Sequence, residues 1–273
     1  MIVVGNAAKQ GYRMLKTFNA TRYVTPLREG GSLPAIVEVD DGSLFVMKFM
    51  GAGQGVKALI AELLAGEIGR LLGLNVPELA FIELDPTVGR AEPNPEIQDI
   101  LRGSIGLNLG LRYLPQAHIF NLLLAPPPDE ALASAIVWFD AYVTNVDRTA
   151  RNVNMLIWQD DLWLIDHGAS LYFHHNWANY MERSRNAFTL IKEHTLLSLA
   201  GQLAAADAAA RRQLTAEALG RIIDVIPAAW LTGEPQFAGP GEYRAAYLAY
   251  LLERLAGSAI FVEEANRARQ GLL

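Results

Sequence analysis

Between Asn145 and Gly168 the chain reads NVDRTARNVNMLIWQDDLWLIDHG, and no other stretch constrains the fold as strongly. Asp147 and Asn152 share one polar loop. Two short apolar runs, NMLIW and LWLID, follow around a QDD turn, and the stretch ends on Asp166-His167-Gly168. Two β-rich runs around a polar turn predict a hairpin. A solvated connector needs no fixed offsets between its polar groups; this loop has them, which predicts a site.

The flanks place that site. Upstream, EALASAIVWFDAYVTN predicts a helix that starts after APPPDE and delivers the chain into the loop. Beyond about residue 187 the pattern predicts helices over FTLIKEHTLLSLAGQLAA, RRQLTAEALGRIIDVI and EYRAAYLAYLLERLAGSAIFVEEANRAR, the last bent or cut at Gly257. The N-terminal part differs. PAIVEV and LFVMKF flank DDGS, the signature of a hairpin with an Asp-Gly turn. After the GAGQG connector, VKALIAELLAGEIGRLLGL has a helical apolar face that Gly73 is placed to end, and LAFIEL predicts a strand. The polar, proline-containing segment that follows, to about Ile100, is expected to be a surface loop. The fold class is α+β: a strand-rich N-lobe of about residues 1–115 and a helical C-lobe of about 116–273, with both hairpins facing a cleft.

Composition narrows the function. A net charge of −6 argues against DNA as the main ligand, because phosphate binding wants a basic footprint. With no cysteine there is no disulfide, thiolate metal site or thiol nucleophile. No run approaches the roughly 18–20 apolar residues of a membrane span, and the N-terminus lacks the apolar stretch of a signal sequence. A soluble, cytoplasmic protein is expected.

Phosphoryl transfer from ATP accounts for the polar residues. One carboxylate orients or deprotonates the acceptor hydroxyl, while a carboxylate and an amide oxygen hold magnesium, which keeps several waters and needs few protein ligands. Asp147, Asn152 and Asp166 supply these groups in that order. Such chemistry also wants a lysine on an N-lobe strand, answered by a glutamate on the next helix. Lys48 lies near the end of LFVMKF, and Glu62 is preferred over Glu67 as its partner. Gly30, Gly31 and Ser32 form a Gly-rich turn whose backbone N–H groups would cover the phosphates.

On GGSLPAIVEVDDGSLFVMKFMGAGQG, ALIAELLAGEIGRLLGLNVPE, FDAYVTNVDRTARNVNMLI and LWLIDHGASLYFHH, the chain resembles the HipA-like kinase family, in its compact branch without the extra N-terminal subdomain. The resemblance implies a two-lobed kinase fold related to protein kinases and phosphatidylinositol 3- and 4-kinases. It implies Asp147 as the catalytic carboxylate, Asn152 and Asp166 as magnesium ligands, Lys48 at the phosphates, and a protein Ser/Thr hydroxyl as acceptor. A kinase for a small molecule or lipid headgroup, and a nucleotide-binding scaffold without activity, are the alternatives. Thr149 stands where the family's HipA members and the lipid kinases have a histidine, two residues after the catalytic aspartate. By the same resemblance, Ser32 is a candidate for autophosphorylation.

Other residues admit two readings each. Arg148 and Arg151 either compensate phosphate charge or form salt bridges to nearby carboxylates. Asp140, two helical turns before Asp147, either holds the loop or lies on an exposed face. His167, His174 and His175 lack a metal-site spacing and are expected at the cleft mouth. Trp138, Trp158, Trp163 and Tyr172 are expected to pack in the core.

Overall fold

The computed structural model describes residues 15–27, 33–53, 55–89 and 92–272. They form two compact units. The first comprises the described residues up to Leu59 and those of 77–115; the second comprises Ile60–Val76 and the described residues from Gln116 onward.

In the first unit, five strands close a barrel: β1 (Thr17–Pro26), β2 (Ala35–Val39), β3 (Leu44–Lys48), β4 (Leu79–Leu84) and β5 (Gly106–Arg112), in the order β1-β2-β3-β5-β4. β2 and β3 are the expected hairpin, with Glu38 opposite Leu44 and Gly42 at φ 79° in the turn. β1 closes the barrel by pairing antiparallel to β2 and parallel to β4. Alternation puts Val37, Phe45, Met47 and Ile82 inside, each with none of its surface exposed. The segment expected to be a loop as far as Ile100 instead contains α2 (Pro95–Arg102). Asn94 caps it by accepting from the Glu96 N–H, Pro95 opens it, and Ile97 and Leu101 pack into the barrel core. Backbone meets backbone beside it: a Cβ on Gly51 would lie 2.7 Å from the Gly103 carbonyl carbon, so no side chain fits there.

α1 (Val56–Leu71) ends before Gly73, which takes φ 80°, as expected. Its residues from Ile60 onward belong to the second unit, where Gly69 lies under the Phe139 ring. α3 (Glu130–Val143) is the spine of that unit. Asp129 caps it, and every residue from Ile136 to Val143 is buried. Trp138 stacks on Tyr142 at 5.1 Å and donates its indole N–H to Asp207 at 2.9 Å. A small sheet of β6 (His118–Ile119), β7 (Met155–Trp158) and β8 (Asp161–Leu164) contains the second expected hairpin.

The stretch expected as one helix from Phe188 to Ala205 is not one. After the one-turn α4 (Tyr180–Arg183), short 3-10 turns cover Thr189–Glu193 and Leu197–Leu199, and the α-helix α5 (Leu203–Gln213) begins only afterwards. Then come α6 (Ala216–Asp224), α7 (Pro240–Ala256) and α8 (Ser258–Gln270), the last two meeting at 57° around Gly257. Among the described residues no single helix is long and apolar enough to cross a membrane.

Candidate active site

The candidate residues of the second unit sit where α3 ends. Thr144 takes the left-handed conformation (φ 54°) and its N–H returns to the Asp140 carbonyl, which stops the helix and turns the chain. Asn145 Nδ2 donates to Asp140 Oδ1 at 2.9 Å, and Asn145 Oδ1 accepts from the Asp147 N–H at 3.1 Å. The loop is therefore tied back to the helix before Asp147 is reached.

Asp140 organises the rest. It is fully buried, and its Oδ2 accepts from Arg148 Nε at 2.6 Å and from His194 Nε2 at 2.9 Å. His194 Nδ1 accepts from the Leu196 N–H at 3.1 Å, so the ring proton sits on Nε2. Burial pushes the Asp140 carboxyl up, but the Arg148 guanidinium and the His194 hydrogen bond outweigh it and hold the group well below the usual carboxylate range. Arg148 donates Nη1 to the Asn154 and Ile165 carbonyls as well, so one guanidinium joins the helix end to the residues that enter and leave the hairpin. Of the two readings of Asp140, the structure shows the one that holds the loop. Arg148 is a salt-bridge partner, 1% exposed, and Arg151 lies exposed. His194 gave no signal in the sequence: it lies 54 residues beyond its partner.

On this frame Asn152 Nδ2 donates to Asp147 Oδ2 at 2.6 Å, and Asn154 Nδ2 donates to the same oxygen at 3.2 Å. The other oxygen of Asp147 has no hydrogen-bond partner among the described residues. Because its nitrogen faces a carboxylate, Asn152 has its amide oxygen available to a cation. Asp166 is half-buried at φ 55°, between the Ile165 N–H donated to the Asn154 carbonyl at 3.1 Å and the His167 N–H donated to Glu62 Oε2 at 2.8 Å. A carboxylate and an amide oxygen are hard donors suited to magnesium. Among the described residues no group of three His, Cys, Asp or Glu side chains could hold a metal ion.

Glu62, expected to answer Lys48, is fully buried, and its Oε1 lies 3.2 Å from His167 Nδ1. Lys48 ends β3 opposite Leu109 and is 8% exposed, so it is not a solvated surface lysine. Gly30, Gly31 and Ser32 lie outside the described residues.

Two expectations need correction. His167 and His174 are fully buried, the latter with Nδ1 3.0 Å from the Tyr247 hydroxyl, so they are interior groups and do not line a mouth. Tyr172 is 57% exposed and does not pack in the core, because the Asp-His-Gly segment turns it outward before Phe173 is buried.

A family model described as HipA-like kinase matches residues 21–263. No curated protein matches the chain. Among solved structures, the Helicobacter pylori proinflammatory kinase CtkA is similar over 95% of this chain and 99% of its own, with a TM-score of 0.57 at 13% identity. A Golgi casein kinase solved with Mn/ADP bound is similar over 92% of this chain and 73% of its own, with a TM-score of 0.50 at 13% identity. These likenesses establish a protein-kinase-like fold.

Proposed function

This chain belongs to the HipA-like kinase family, and we propose that it transfers the γ-phosphate of ATP, in a magnesium-dependent reaction, to a Ser or Thr hydroxyl of a polypeptide. The observation that carries the reading is the asymmetry of Asp147. Two amide groups anchor one carboxylate oxygen, and the other has no hydrogen-bond partner among the described residues. A carboxylate so held is oriented before substrate arrives, which is the preorganisation that phosphoryl transfer asks of a protein. Asp147 would accept the hydroxyl hydrogen bond and receive its proton as the hydroxyl oxygen bonds to the γ-phosphorus and the bond from that phosphorus to the bridging oxygen breaks, releasing ADP. Asn152 and Asp166 would hold magnesium, which would neutralise the charge that develops on the transferred phosphoryl group. Lys48 would contact the phosphates, and the segment holding Gly30, Gly31 and Ser32 would cover them. A cytoplasmic setting, with its supply of ATP, suits this reading.

Thermal unfolding with and without Mg-ATP tests it. At about 100 times the dissociation constant, binding adds about 2.7 kcal/mol, or roughly 5–10 °C for a chain of this size. Wild type should show the shift and Asp166→Ala should lose it. Asp147→Asn should keep the shift but lose incorporation of label from γ-labelled ATP. A wild type with no shift in either magnesium or manganese would defeat the proposal.

A further inference from the structure

Within the second unit a cavity of about 430 Å³ begins one residue from Asp147. Val146 lines it, and so do Tyr172 from the segment after Asp-His-Gly, Arg183, Phe188, Leu190 and Tyr250. Its volume lies in the range of small-ligand sites. Two of its aliphatic or aromatic walls face outward, Tyr172 at 57% exposure and Leu190 at 51%. Its charge is one-sided: Arg183 and Arg254 are the charged lining residues, and no carboxylate joins them. Its backbone is unusual as well. Thr144 and Phe188, both lining residues, hold φ values of 54° and 56°, a region that β-branched and bulky side chains seldom occupy.

We propose that this cavity is the specificity pocket for the acceptor polypeptide, taking a bulky apolar side chain close in sequence to the phosphorylated residue; the inference rests on the reading of Asp147 given above. A small acceptor held at Asp147 has no atoms left to fill a cavity of this size beside it. A polypeptide continues on both sides of its hydroxyl and advances about 3.3–3.6 Å per residue. A side chain one to three positions from the hydroxyl therefore reaches past Val146 into the cavity. Aromatic and aliphatic walls favour Leu, Met or Phe there, and the two guanidinium groups disfavour Lys or Arg.

The test is a degenerate peptide library with a fixed Ser or Thr, incubated with γ-labelled ATP and magnesium, read position by position. One position within three residues of the hydroxyl should favour Leu, Met or Phe over Lys or Arg by about tenfold or more, the scale on which apolar pockets discriminate. Leu190→Glu should invert that preference toward Lys and Arg, and Tyr172→Ala should flatten it. Both side chains are at least half exposed, so neither change removes core packing. A labelled library with no flanking preference overturns the pocket, and so does a preference unchanged in both variants. A library that stays unlabelled while the Mg-ATP melting shift persists overturns the polypeptide acceptor itself, and the pocket's occupant with it.

Discussion

The two units bury polar groups in different ways. In the barrel unit the sheet ladder already satisfies most of the backbone, and neutral side chains take up backbone groups beyond it. Asn108 Oδ1 accepts from the Met50 N–H at 2.8 Å, its Nδ2 donates to the Ser104 and Gly106 carbonyls, and Ser104 Oγ accepts from the Gly51 N–H at 2.9 Å. In the helical unit, charged side chains converge on the end of α3 and its loop: Asp140 with Arg148 and His194, and Arg254 donating to the Ala141, Tyr142, Ser184 and Asn186 carbonyls. A loop without a ladder has no repeating partner for its backbone, so its shape must come from directional bonds to side chains. Buried ion pairs are poor sources of net stability, and fixing geometry is their better-attested use. The helical unit spends them where Asp147 must be aimed.

The sharpest break in that contrast is Asp140→Asn. It leaves the Arg148 charge buried without its counterion and should cost about 3–5 kcal/mol in urea unfolding, the usual penalty for halving a buried pair. The pH dependence follows from the same pair. The folded-state pKa of Asp140 lies below its unfolded value, with Arg148 and His194 facing it. Its stabilisation is thus complete above the unfolded value of about 3.9 and fades as pH falls toward the folded one. Wild type should lose stability over that acid range, and the gap to Asp140→Asn should narrow there. The barrel counterpart, Asn108→Ala, orphans neutral groups only and should cost less, about 1–3 kcal/mol by the same measurement. At the small end, Arg22→Ala removes a pair to Glu38 that is 62% and 32% exposed. A shift of about 1 kcal/mol or less is expected in urea unfolding, and a larger one would mean that the barrel too depends on ionic bonds.

Which features the sequence made legible follows the range of the forces involved. Asp147 and Asn152 could be read as a pair because their spacing is local and they do meet, at 2.6 Å. The β2–β3 and β7–β8 hairpins could be read because each turn lies between its own strands. Helix α2 is hard to read although Asn94 and Pro95 mark its start and Ile97, Ile100 and Leu101 follow helical spacing: it is only eight residues long and mostly polar, and its two buried side chains are fixed by the barrel they meet. The opposite error arose at residues 188–205, where the apolar spacing is helical but Asp140 takes the His194 side chain and Thr149 bridges to the His194 backbone. Tertiary bonds there override local preference. Arg254 sits in a run that reads as plain amphipathic helix, and its role is invisible until the end of α3 lies against it.

That last contact bears on how the protein is made. The carbonyls of Ala141 and Tyr142 wait for a guanidinium more than a hundred residues downstream, and Asp140 waits for His194. During synthesis, at about 5–20 residues per second, Asp147 leaves the ribosome well before the groups that aim it. A nascent chain carries Asp147 and Asn152 without the contacts of Arg254 until that residue has emerged, so the end of α3 takes its final arrangement more than a hundred residues after it is made.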